Sequence, residues 1–409
     1  MNILFVHEVD WMKKVVFEIH NLAETLSSLG HKVYAIDYEN TWQRNGVFRL
    51  GSLRTKNFEV SRAVPGASVS LRRPGFIKVP GLSRLSAGFT HYQEIQKTIR
   101  EKQIDVIMLY SVPTNGLQTI FLAKKHHIPV IFRSIDILHR LVSYPALRLP
   151  TKLMERRVYA SADEILAITP NHRHYVISMG APEAKVKLLP LPIDTSLFHP
   201  SVDYNDVRKK WGLTGQDQVI VFIGTLFEFS GLDGFLRQFP RVLADVPKVK
   251  LLIVGDGPQR QKLESIITEL DLANRVIMTG FQPYSTMPQY INLATVCINP
   301  FLNTNVTRDI FPGKIIQYIA CGKATVATPL LGITALIPDN SSGIIYANRP
   351  EDMAREVINL LKSTEYRQKI EQAGLDYVRQ VHDQRKIARQ LEAELMGLVE
   401  KNKNRGKDS

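Results

Sequence analysis

Asp309-Ile-Phe-Pro-Gly-Lys-Ile-Ile-Gln-Tyr-Ile-Ala-Cys-Gly-Lys-Ala-Thr-Val-Ala-Thr328 reads as a loop, a helix and a short buried strand. Pro312 suits the first position of a helix, where the missing N–H costs nothing. Gly322 supplies a helix stop, and the apolar run from Thr325 to Thr328 follows it as a strand. A helix opening at Pro312-Gly313 turns free N–H groups and a positive dipole end outward, and Gly313 lets an anion come close. Lys314 adds a full charge beside them. On pattern alone the unit is equally a piece of an α/β core, with Asp309 no more than a favourable charge near a helix start.

Outward from this stretch, apolar runs alternate with helical patterns along the whole chain, the mark of parallel α/β architecture. Strands are expected at Ile3–Val6, Val33–Ile36, Val106–Leu109, Val130–Phe132, Glu164–Ile168 and Val186–Leu189. Apolar residues from Val15 to Leu29 recur at helical spacing and stop at Gly30. In the second half, runs at Val219–Ile223, Leu251–Val254 and Val276–Thr279 each end at a glycine: Gly224, Gly255 and Gly280. Glycine at a strand end lets the backbone turn sharply and approach a ligand.

The Asp309–Thr328 segment resembles the donor-site signature of the family-4 retaining glycosyltransferases. Pro312, Lys314, Tyr318, Ala320, Gly322, Lys323, Val326, Ala327 and Thr328 stand in register with it. Asp309 and Gln317 stand where the family has glutamates. A second resemblance runs from Ala162 to Phe198 and matches the end of the family's first domain. Gly255-Asp-Gly-Pro258 and Met287-Pro-Gln-Tyr290 also follow the family's order. Two features are absent: a Gly-Gly loop after the first strand, replaced by His7–Lys14, and an Arg–Lys pair after Val219–Ile223, where Thr225 and Ser230 stand. A hydroxyl donates one hydrogen bond but balances no diphosphate charge. Lys314, Arg308, Lys13 and Lys14 are the candidates to supply it.

The resemblance implies a GT-B fold, two doubly wound Rossmann-like domains facing across a cleft. It implies an acceptor-side domain over 1–200, a linker over 201–216 and a nucleotide-sugar domain over 217–380. A helix over 381–400 would return to the first domain on the stripe Ile387, Leu391, Leu395 and Leu398, although a coiled-coil partner would explain that stripe equally well. Residues 401–409 are polar and expected to be a disordered tail. The implied reaction is retaining transfer of a sugar from a nucleotide diphosphate sugar, without metal or cofactor. Asp309 would hold the donor sugar, Gln317 the ribose, and the N–H groups around Phe311, Pro312, Gly313 and Lys314 the phosphates, with Arg308, Gly224, Thr225 and Gly280 completing the donor site. No catalytic base is assigned; His7, His91 and His139 read as structural or surface residues. A catalytically dead relative acting as a binding partner and a sugar-nucleotide epimerase remain as alternatives.

Composition suits this reading. The 409 residues exceed one ordinary core and suggest two domains. Two cysteines without metal-ligand spacing, and no run near ~20 apolar residues, suggest a cytoplasmic protein. Met1–His7 lacks the basic front of a signal peptide and reads as a strand. Lys and Arg exceed Asp and Glu by 52 − 39 = 13. Between Thr41 and Thr90 lie nine cations (Arg44, Arg49, Arg54, Lys56, Arg62, Arg72, Arg73, Lys78 and Arg84) against Glu59 alone. Residues 44–84 are therefore a candidate surface for anionic lipid at the inner face of a membrane, or for a phosphate-bearing acceptor, with a solvated loop as the plain alternative. Cations without alternating aromatics speak against nucleic acid. The acceptor is expected to be a glycan or a lipid-linked glycan.

Overall fold

The computed structural model describes residues 1–39, 50–142, 144–337, 339 and 342–405. The chain divides into two compact units, Met1–Pro192 with Gln384–Ser409, and Ile193–Asp383.

Unit 1 holds eight strands: β1 (Asn2–Val6), β2 (Lys32–Ile36), β3 (Lys56–Val60), β4 (Val69–Arg73), β5 (Val106–Leu109), β6 (Val130–Ser134), β7 (Glu164–Ala167) and β8 (Val186–Leu188). Their order is β3-β4-β2-β1-β5-β6-β7-β8, parallel throughout except that β3 runs against β4. The central strands are apolar on both faces because helices cover both. The first helix is Glu18–Ser28, not the longer one expected from Val15. His20 reaches back to accept from the Phe17 amide and sets the start there.

The basic segment is not a free loop. It contains β3, β4 and the start of the helix Leu82–Lys102, none of them expected. Arg73 pairs with Asp10 and Asp37, Arg72 with Glu94 and Glu101, Lys78 with Glu39 and Arg84 with Glu8. Arg62 donates to the carbonyls of Trp11 and Lys14. The neutralising acids come from distant parts of the chain, so weighing the cations against Glu59 alone overstated the free charge. Four of the nine cations, Arg72, Arg73, Lys78 and Arg84, are neutralised this way; Arg44 and Arg49 lie outside the described residues.

The last helix, Gln384–Arg405, belongs to unit 1. Ile387, Leu391, Leu395 and Val399 are buried in one cluster with Ile3, Leu22 and Leu26. Residues 401–405 continue this helix, where a disordered tail was expected, and 406–409 lie outside the described residues.

Unit 2 holds β9 (Gln218–Ile223), β10 (Val249–Val254), β11 (Val276–Gly280), β12 (Val296–Asn299), β13 (Thr325–Ala327) and β14 (Ile344–Tyr346), all parallel, in the order β11-β10-β9-β12-β13-β14. Strand order reverses between β9 and β12, and ligands of open α/β sheets bind beyond the carboxyl ends of the strands at such a point. The unit begins at Ile193, not at 217. The expected linker carries the helix Asn205–Lys210 and is tied down where the Trp211 indole donates to the Tyr290 hydroxyl. The Ile193 amide donates to the His382 carbonyl at 2.8 Å, so the chain enters and leaves this unit side by side.

Candidate active site

The carboxyl ends of β9, β10 and β11 meet through glycines. The Gly224 amide donates to the Val254 carbonyl and the Gly255 amide to that of Gly280. Gly224 and Gly255 have φ of 148° and 144°, and a side chain on Gly255 would collide with the Gly224 carbonyl. These residues must be glycine for the three strand ends to lie this close. Beyond β9, Gly231 takes φ 66° against the Pro300 carbonyl and opens the helix Leu232–Asp245.

On the other side of the reversal, the loop after β12 is held by its own backbone and threonines. Thr307 donates to the Leu302 carbonyl, the Arg308 amide to Thr304, and Gly332 packs against the carbonyls of Asp309 and Ile310 while its amide donates to Arg308. Pro312 is the cap, and the helix runs from Gly313 to Ala320. Tyr318 anchors it on β9: its hydroxyl accepts from the Ile223 amide at 2.8 Å.

That anchor places Lys314. Its ammonium lies 4.2 Å from the centre of the Phe222 ring and 4.5 Å from that of Phe301. Among the described residues it has no hydrogen-bond or ion-pair partner. The apolar surround lowers its pKa to about 7, and the two ring faces offer cation–π attraction. A charge held this way, beside a glycine and the first free amides of a helix, is suited to an anion.

The other expected residues fall around it unevenly. Gln317 is three residues along the same helix, and its amide nitrogen donates to the Tyr284 hydroxyl at 3.4 Å. Gly280 turns at φ 69°, and a side chain there would meet only the ends of Arg260 and Asp256, at 3.6 and 3.9 Å. Asp309 is half-buried, and Arg308 is exposed with Nε 3.8 Å from it. The Phe311 side chain is buried and stacks on His382, so only its backbone can serve a ligand. Thr225 is exposed, whereas Ser230 is buried. Lys13 and Lys14 belong to unit 1. Among the described residues, no group of three or more His, Cys, Asp or Glu is placed to hold a metal.

Unit 1 carries a polar centre that the sequence reading missed. Arg133 makes a two-point, fully buried pair with Glu18, Nε to Oε1 at 2.6 Å and the terminal nitrogen to Oε2 at 2.8 Å. The Tyr110 hydroxyl donates to the same carboxylate. Burial raises the pKa of neighbouring Asp136 and drives His7 down to about 3, so His7 is neutral. The partners lie up to 115 residues apart, so no local motif announces them. The other histidines are structural in form: the buried His91 ring contacts the Ala87 and Asp37 carbonyls, and His139 pairs with Glu155.

Two α/β units, one with a mixed and one with a parallel sheet, and the strand-end glycines of unit 2 place the fold in the GT-B class. Comparison places the chain more closely. Residues 217–363 match the family model for glycosyl transferases group 1, and residues 16–192 match that for the glycosyl transferase 4-like domain. The chain belongs to the family-4 GT-B glycosyltransferases. It is 29% identical over 202 residues to a phosphatidylinositol N-acetylglucosaminyltransferase subunit of Arabidopsis thaliana, covering 49% of this chain and 42% of that one. It is also 29% identical over 194 residues to GDP-mannose-dependent alpha-(1-6)-phosphatidylinositol monomannoside mannosyltransferase of Mycolicibacterium smegmatis, covering 46% and 50%. The chain thus spans about half the length of these curated relatives. Among solved structures, HepE of Anabaena, in complex with UDP, superposes with a TM-score of 0.72 at 17% identity, covering 97% of this chain and all of that one.

Proposed function

We propose that this protein transfers a hexose from a nucleotide diphosphate sugar to a lipid-linked or glycan acceptor, with retention at the anomeric carbon. The observation that carries the reading is the Lys314 ammonium, set beside Gly224 at the point where strand order reverses and lacking a hydrogen-bonding or charged partner among the described residues. The pyrophosphate would lie against Lys314 and the amides of Gly313 and Lys314, compensating for the absence of cations at Thr225 and Ser230. Arg308 adds charge from the rim of the same loop. Gln317, oriented by Tyr284, would hold the ribose, and the turn at Gly280 would lie near the base. Asp309 would grip hydroxyls of the donor sugar. The names of the two relatives both specify phosphatidylinositol compounds, which supports a lipid acceptor.

In the proposed reaction the bond from the anomeric carbon to the diphosphate oxygen breaks, and a bond to the acceptor oxygen forms on the same face. The acceptor proton passes to the departing diphosphate. Catalysis then rests on positioning and on charge stabilisation of the leaving group. Because Lys314 and the helix start carry that charge, transfer should persist in the presence of a chelator. The test is a radiolabelled transfer assay across sugar nucleotides with phosphatidylinositol, diacylglycerol and glycan acceptors, the product's anomeric configuration being read by NMR. An inverted product would refute the mechanism. Nucleotide binding without transfer to any acceptor would favour the binding-partner alternative.

A further inference from the structure

Unit 1 exposes an apolar surface that its fold does not use. The helices Leu82–Lys102, Gly116–Lys125 and Pro145–Ser161 follow β4, β5 and β6, and the middle one packs against both others. All three strands are parallel, so the three helices run in the same direction and start at the same end of the sheet. Each carries exposed apolar side chains. Leu85 and Phe89 are 73% and 62% exposed, Phe121 is 57% exposed, and Leu149 and Leu153 are 65% and 57% exposed. A typical surface scatters such residues singly; neighbouring stripes mark an interaction site.

Around the second and third of these helices the exposed charges are positive. On Pro145–Ser161, Thr151, Glu155 and Val158 point into the core, and the outward side sets Leu149 and Leu153 beside Arg148, Lys152 and Arg156 at four-residue spacing. Lys152, Arg156 and Arg157 have no acidic partner among the described residues. The one acid of this helix, Glu155, is buried and engaged with His139 and Tyr159. The helix Gly116–Lys125 has no acid and ends in exposed Lys124 and Lys125.

We infer that this face docks on an anionic lipid bilayer, with the exposed apolar side chains of these helices entering the headgroup boundary and the cations beside them at phosphate level. An apolar stripe flanked by lysine and arginine is the composition of interfacial helices, whose cations keep their heads in water while their stems lie on apolar surface. The inference does not rest on the transfer reaction, and it adds a surface distinct from 44–84. Among the described residues no helix is long and apolar enough to span a membrane, so the contact is peripheral.

Flotation with phosphatidylcholine vesicles, with and without phosphatidylglycerol, tests this. Binding is expected to the anionic vesicles alone and to be lost at high salt, which screens charge within a Debye length. The triple variant Lys152→Glu, Arg156→Glu, Arg157→Glu should bind at least roughly hundredfold more weakly. The variant Phe121→Ser, Leu149→Ser, Leu153→Ser should also lose binding while retaining its circular dichroism spectrum. Equal binding to both vesicle types, no binding by the unmodified protein, or full binding by both variants overturns the proposal. So does a dimer seen by sedimentation velocity that the serine variant dissolves while vesicle binding stays unchanged.

Discussion

A methyl group on Gly224 would stand 2.5 Å from the ammonium of Lys314, closer than any carbon can approach. The two residues therefore share one space: the absent side chain of one is the seat of the other's charge. Gly224→Ala should displace Lys314 and strain a backbone at φ 148° that only glycine adopts freely. We expect a loss of about 1–3 kcal/mol in stability, together with weaker UDP or GDP binding by calorimetry. Unchanged affinity would show that Lys314 is not at the phosphate site.

Removing the charge itself separates binding from folding. Lys314→Met should weaken nucleoside diphosphate binding by roughly 1.5–3 kcal/mol, as for a charge-assisted hydrogen bond, and leave nucleoside binding nearly unchanged. Without ligand the variant should be at least as stable as the parent below pH 7, because a cation in an apolar surround has been replaced. Equal losses for both ligands would make Lys314 a residue of the fold.

The lowered pKa of Lys314 sets a pH dependence with a definite sign. In the unfolded chain this lysine keeps its proton up to 10.5, and in the folded protein only to about 7. Between those values the unfolded state binds more protons, so this group's contribution to stability rises with pH across the window. Diphosphate affinity should move the opposite way, falling from pH 7 towards 9 as the free protein loses the charge that the ligand needs. In Lys314→Arg, affinity measured by calorimetry should be flatter over the same range.

Asp309 offers a rate-specific test. If it grips the reacting sugar, Asp309→Ala should abolish transfer while leaving free diphosphate affinity within about threefold. Full activity in this variant would break the register on which the donor site is built.

The Glu18–Arg133 pair should behave as a buried ion pair. Arg133→Met alone strands a carboxylate and should cost about 3–5 kcal/mol, whereas Glu18→Gln with Arg133→Met should cost clearly less than the sum of the two single changes. Urea unfolding of all four proteins gives the coupling.

Legibility followed sequence distance. The strand ends of unit 2 were readable because each glycine sits directly after its apolar run, and the helix at Gly313 because proline and glycine announce it. Lys314 was readable as a charge, but its cradle of Phe222 and Phe301 was not, since the rings come from two other parts of the chain. β3 and β4 were hidden by charge: Arg72 and Arg73 look solvent-bound until Asp10, Asp37 and Glu94 fold against them. The helix Leu82–Lys102 was missed because serine, glycine and histidine dilute its apolar spacing. The membrane-facing leucines are readable only as exposed residues, and exposure requires the fold.

The path of the chain also orders its assembly. Unit 2 is one continuous segment, whereas the core of unit 1 closes only when Ile387, Leu391 and Leu395 arrive from beyond it. On a ribosome residues 1–192 therefore emerge with an apolar face around Ile3, Leu22 and Leu26 still uncovered, while the second unit is complete in sequence before the closing helix is made. Unit 1 is begun before unit 2 yet is the later of the two able to finish folding, and a product ending at Asp383 would keep a foldable second unit beside a first one prone to aggregate.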